Sequence, residues 1–98
     1  MKLLFDLHTH TVASGHAYGT LKENVEEAAT KGLKILGTSD HAISMPGTTN
    51  PIFFTNYRAI PEEIQGVKIL KGIEANVMDY QGTIDVEEKI YPALDYVI

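Results

Sequence analysis

Apolar and polar side chains alternate along the first residues of this chain: Leu3, Phe5 and Leu7 fall on one side, Leu4, Asp6 and His8 on the other. A period of two with an apolar start predicts a mostly buried strand over Lys2–His8, its polarity rising toward the C-terminal end. A loop of small residues, Ala13-Ser14-Gly15-His16-Ala17-Tyr18-Gly19, follows. The period then becomes helical. Leu21, Val25, Ala28 and Ala29 share a face, Thr20 and Glu23 match a capping box, and Gly32 supplies a stop. Leu21–Lys31 is expected to be a helix.

Lys34–Thr38 reads as a second strand running into Ser39-Asp40-His41, and Val67–Ile73 as a third running into Glu74. Between them, residues 42–56 carry Pro46, Pro51 and two phenylalanines without any period. A long loop is expected there, with a short helical stretch inside Asn56–Gln65. Asn76–Val86 is expected to form a hairpin turning near Asp79-Tyr80-Gln81-Gly82, where glycine can take positive φ. Glu87 and Glu88 open a short helical turn, and Ala93–Ile98 reads as a fourth apolar strand. This order predicts an α/β fold of mainly parallel βα units.

The candidate chemistry follows from where the strands end. Side chains two apart on a strand point the same way, so His8 and His10 can present two imidazoles to one point. Alone, such a pair is more simply a chance occurrence on a solvated turn. The other candidates change the balance. His41 follows the second strand, Glu74 follows the third, and His16 sits in the first loop between the small residues Gly15 and Ala17. In parallel α/β sheets, functional groups gather outside the carboxyl ends of the strands. All four histidines fall at that rim and none on a helix, which selects His8, His10, His16, His41 and Glu74 as metal ligands. Asp6 shares a strand face with His8; it either orients an imidazole from the second coordination shell or caps a loop amide. Asp40 has the same two roles open to it, and direct ligation besides. Glu26, Glu27, Glu62 and Glu63 read as solvated helix faces and Asp85 as a stabiliser of the hairpin; Tyr18, near the loop, reads as a packing residue, with contact to substrate the alternative.

Composition sharpens this by exclusion. The chain has no cysteine, so any metal must be held by imidazole, carboxylate or water. Four histidines and a carboxylate suit zinc, and manganese or iron fit the same donors. They exceed what one tetrahedral ion takes from a protein and indicate a multinuclear site, for which hydrolysis is the natural reaction. The net charge of −5 and the scattered basic residues argue against a nucleic-acid surface or polybasic membrane attachment. No apolar run approaches the roughly 18 residues of a membrane span, and the apolar start is too short for a signal peptide. Cytoplasmic localisation is the default expectation.

Taken together, Asp6-Leu7-His8-Thr9-His10-Thr11, Gly15-His16, Thr38-Ser39-Asp40-His41 and Gly72-Ile73-Glu74-Ala75-Asn76 resemble the polymerase and histidinol phosphatase (PHP) superfamily of metal-dependent phosphoesterases. The segment Met78–Asp85 looks most like its bacterial trinuclear zinc phosphatase branch. The His-x-His pair is shared with amidohydrolases; its combination with Ser-Asp-His and Gly-Ile-Glu is specific. The resemblance implies part of a distorted (β/α)₇ barrel with up to three zinc ions at its strand ends. By that resemblance His8 and His10 bind one ion with Glu74, Glu74 bridges to a second, and His16 with His41 holds a third. A metal-bound hydroxide would then attack a small phosphate monoester.

One departure is large. Members of the family have barrels more than twice this length and draw further histidines and an aspartate from later strands, whereas no histidine lies beyond His41 here. Residues 1–98 are accordingly expected to be the N-terminal part of a single PHP domain, incomplete at the C-terminus, with impaired catalysis. The apolar last strand leaves an open sheet edge that invites pairing with a second copy. The competing readings are a non-catalytic metal-binding or oligomerising fragment, a PHP nuclease module of a DNA polymerase, and an amidohydrolase.

Overall fold

The structure is a computed structural model describing residues 4–98; residues 2 and 3 of the expected first strand lie outside it. Five strands form one curled sheet: β1 (Phe5–Thr9), β2 (Ile35–Thr38), β3 (Glu63–Ile64), β4 (Val67–Ile73) and β5 (Tyr96–Val97). The order is β1-β2-β4-β3, with β5 also paired to β4. Its antiparallel partner β3 takes the first residues of β4, and β5 takes Gly72 and Ile73 at the far end. Strands β1, β2, β4 and β5 run parallel, so their carboxyl ends share one rim. The result is a half-barrel of βα units, an open arc of an α/β barrel.

The helix α1 (Leu21–Thr30) forms where its period and capping box place it. Thr20 Oγ1 accepts from the Glu23 amide at 3.1 Å, and Glu23 returns the bond to the Thr20 amide at 3.0 Å. Its apolar face, Val25 and Ala28, packs on Leu36 of β2 and on Val67 and Ile69 of β4. A second core of Ala42, Phe54, Tyr57, Ile73, Val86 and Ile90 lies between the segment after β2 and a 3₁₀ helix at Glu88–Ala93.

Several expectations are corrected. The helix placed within Asn56–Gln65 starts earlier: α2 covers Pro51–Thr55 and passes into a 3₁₀ turn at Asn56–Ala59. Asn50 is its N-cap, accepting from the Ile52 amide at 3.0 Å, and Pro51 occupies the first turn, where its missing N–H costs nothing. That Asn-Pro pair is a helix start, not a loop signal. Glu63 belongs to β3 and not to a helix; like Glu62 it is exposed. Gln65 and Gly66, both at positive φ, make the two-residue turn that folds β3 onto β4.

The first strand is not mostly buried: Phe5 is 50 % exposed and Leu4 similar, because among the described residues nothing pairs with the outer edge of β1. The hairpin over Asn76–Val86 reduces to a turn with one bridge, Val77 to Ile84, and Gly82 at φ 85°. The last strand is shorter than Ala93–Ile98, since Pro92 and its neighbours wind into the 3₁₀ helix. Pairing to β4 starts where the Asp95 amide donates to the Lys71 carbonyl at 2.6 Å.

Tyr96 ties the arc together. Its ring lies across Gly37 of β2 and Gly72 of β4, where a Cβ would collide with it, and its hydroxyl donates to the Leu7 carbonyl of β1 at 2.5 Å. One side chain thus spans three strands. Among the described residues, no helix is long and apolar enough to cross a membrane.

Candidate metal centre

Backbone pairing carries the two later strand ends to one another. The Glu74 amide donates to the Asp40 carbonyl at 3.0 Å and the Ala42 amide to the Glu74 carbonyl at 2.9 Å, which sets His41 beside Glu74 as a parallel bridge. The first strand arrives with a register shift against β2 between Asp6 and Thr9, beside His8. Such bulges re-aim a side chain at a strand end, so simple alternation does not by itself describe how His8 and His10 are presented.

The side chains meet on one carboxylate. Glu74 Oε1 lies 2.5 Å from His8 Nε2 and 3.2 Å from His10 Nε2, and its Oε2 lies 3.1 Å from His41 Nδ1. The His10 and His41 rings are stacked with centroids 4.6 Å apart. Ligand atoms of His8, His10 and Glu74 all fall within 4.8 Å of one another. His16 stands at the edge of this group, its ring 5.5 Å from that of His41 and its Nε2 2.9 Å from the Pro46 carbonyl. The five residues selected from the sequence thus share one rim: three histidines surround the Glu74 carboxylate, and His16 is engaged by the loop after β2.

The titratable groups of the rim shift one another. Burial pushes the His10 imidazole below its ordinary range, and neighbouring His41 adds to this, while Glu74 works the other way. Burial alone would raise the Glu74 carboxyl, but the His8 hydrogen bond and the charges of His41, His8 and His10 outweigh it and hold it low. Glu74 is therefore an anion ringed by nitrogen ligands. His41 Nδ1 is buried without a hydrogen-bond partner, its contact with Glu74 being poorly aligned for one. An orphaned nitrogen beside an ionised carboxylate, in a set of imidazole and carboxylate donors, fits a divalent cation.

The two aspartates resolve differently. Asp6 accepts from the His8 backbone amide at 3.1 Å and so caps a strand-end N–H. Asp40 is fully buried with both oxygens engaged: it accepts from the Thr11 amide at 2.6 Å, the Thr11 hydroxyl at 2.8 Å and the Ser14 hydroxyl at 2.8 Å. It supports the loop from beneath. Tyr18 does not pack; it is 97 % exposed. Asp85 does stabilise its turn, accepting from the Asn76 amide at 2.7 Å and from Ser44 Oγ at 2.5 Å.

Sequence reasoning missed the residues that hold the histidines. Ser14 Oγ lies 3.1 Å from His10 Nδ1 and 2.9 Å from the His41 amide. Asn24 of α1 donates to the His10 carbonyl at 3.0 Å, and Thr48 to the His41 carbonyl at 2.7 Å. The only signal for Ser14 was a hydroxyl inside a loop of small residues. A cavity of about 1010 Å³ is lined by Thr11, Thr38, Asp40, Phe53 and Tyr57 among others. None of the five rim residues lines it, so it is separate from the metal centre.

Comparison with known proteins completes the picture. The family model of the PHP domain matches residues 6–97. A protein named probable phosphatase from Caldanaerobacter subterraneus subsp. tengcongensis is 51 % identical over all 98 residues of this chain, which cover 39 % of that protein. Probable phosphatases of Thermoanaerobacter sp. and Clostridium novyi are 50 % and 51 % identical over the same 98 residues, covering 40 % of each. The chain thus spans about two-fifths of the length of these relatives.

Proposed function

The chain belongs to the PHP domain family, and from that premise we propose that its rim is part of the metal centre of a phosphatase acting on small phosphate monoesters. In this reading residues 1–98 are the N-terminal part of one PHP domain. His8, His10 and Glu74 would hold one zinc ion, Glu74 would also serve a second, and His16 with His41 would hold a third. Manganese or iron would be held by the same donors. A bound divalent ion supplies positive charge for a phosphoryl group and acidifies water.

The chain's own part is to orient. Glu74 presents one oxygen to His8 and His10 and the other to His41, so one anion aligns three imidazoles. The observation that carries the reading is this convergence at 2.5, 3.2 and 3.1 Å. The test is metal analysis after dialysis, paired with turnover of a chromogenic phosphate monoester. Retained zinc, and turnover abolished in His10→Ala, are expected; a chain that retains no metal would overturn the reading. Retained metal with no turnover would favour a non-catalytic metal-binding fragment.

A second feature favours assembly. Leu4 and Phe5 at the outer edge of β1, and Val97 and Ile98 at β5, are exposed apolar residues on strand edges left unpaired among the described residues. Such edges recruit further strands, and we propose pairing with a second copy of the chain. Sedimentation should give a dimer or larger species that Phe5→Lys dissociates.

A further inference from the structure

We infer that Ser14 is a positioning residue, fixing His10 in the tautomer that carries its proton on Nδ1 and leaves Nε2 bare toward Glu74. The inference rests on the metal-centre reading for its consequence, but its geometry stands apart from it.

Ser14 is fully buried and its hydroxyl has three neighbours. A hydroxyl offers one proton and two lone pairs, so the three contacts can be assigned by elimination. Asp40 Oδ1, at 2.8 Å, belongs to a carboxylate that already accepts the Thr11 amide and the Thr11 hydroxyl, and it can only accept. The Ser14 proton therefore goes to Asp40. The His41 amide, at 2.9 Å, can only donate and takes one lone pair. The remaining lone pair faces His10 Nδ1 at 3.1 Å. Only a protonated Nδ1 satisfies it; the other tautomer would set two lone pairs against each other in a buried place.

The consequence lies at the opposite side of the ring. With its proton on Nδ1, a neutral His10 presents a bare Nε2 to Glu74 Oε1 at 3.2 Å. Two acceptors then face one another with no proton between them, an arrangement that a cation relieves. Asp40, Ser14 and His10 form a chain that begins in the interior and ends at the rim. The same hydroxyl holds the His41 backbone, so one residue sets two of the histidines.

The test uses the 98-residue chain. Long-range ¹H–¹⁵N spectra of histidine-labelled, metal-free protein at about pH 8, above the ordinary imidazole range, read the His10 tautomer directly. A protonated Nδ1 is expected in the wild type and a mixed population in Ser14→Ala; a wild-type His10 protonated on Nε2 would overturn the inference. Competition titration with zinc should show Ser14→Ala binding about 10- to 100-fold more weakly. In a His10→Ala background that loss should shrink to the part carried by the His41 amide, whereas an equal loss in both backgrounds would mean a general structural role and also overturn it. If Ser14→Ala fails to fold by circular dichroism, the wild-type tautomer decides alone. If the wild type binds no zinc, the metal-centre reading fails, while the tautomer still decides the part played by Ser14.

Discussion

Two carboxylates near the end of β4 behave in opposite ways. Asp85 is met by fixed donors on every side: the Ser44 amide and hydroxyl, and the Asn76 amide and side-chain NH₂. It ties the loop after β2 to the loop after β4. Glu74, eleven residues earlier in the chain, is met by imidazole nitrogens instead, one of them buried and unpartnered. A structural carboxylate is saturated by protons from its surroundings. On the proposed reading, a ligating one sits among imidazoles that the protein gathers at a cost recovered only when a cation is bound.

The sharpest way to break this contrast is to exchange the consequences. Glu74→Gln removes the charge and keeps the size; zinc affinity in a competition titration should fall by more than about 100-fold, exceeding the usual effect of a supporting residue. Its metal-free unfolding midpoint should move by less than about 1 kcal/mol. Asp85→Ala should do the reverse, costing about 2 kcal/mol in urea unfolding because four donors lose their acceptor, with zinc affinity held within about 3-fold. A large loss of zinc binding in Asp85→Ala would erase the distinction.

Acid sharpens the same point. Burial alone would raise the Asp85 carboxyl, but the Ser44 and Asn76 donors hold it down at about 2. A depressed carboxyl contributes stability that is present above its unfolded value and lost as pH falls through the folded one. The window therefore runs from about pH 4 down to about pH 2. Over it the wild type should lose about 1–2 kcal/mol that Asp85→Ala no longer has to lose. Parallel pH profiles for the two proteins would contradict this. The smallest effect belongs to Asp6→Ala, which removes one exposed cap from the His8 amide and should change zinc affinity by less than about 3-fold.

Much of this was legible in the sequence, for identifiable reasons. Strand β4 and helix α1 have strong periods and clear stops, so Val67–Ile73 agrees residue for residue and α1 to within one. The rim position of His41 and Glu74 follows from parallel strands and nothing more. The bulge in β1 was not legible, because it depends on how β1 meets β2. Helix α2 was hidden by reading Pro51 as a breaker when Asn50 makes it a first-turn residue. The exposure of Phe5 depends on which strands lie beside β1, and the hub at Ser14 on two loops and a strand end meeting in space. Local pattern fixes elements; contacts between distant segments decide the rest.

The most direct test is X-ray absorption at the zinc edge of the metal-loaded chain. A shell of nitrogen and oxygen at about 2.0–2.1 Å with imidazole scattering from at least two histidines is predicted, reduced by about one imidazole in His8→Ala. A shell of water and carboxylate oxygen alone, unchanged by that substitution, would contradict a metal held by the histidines of this rim.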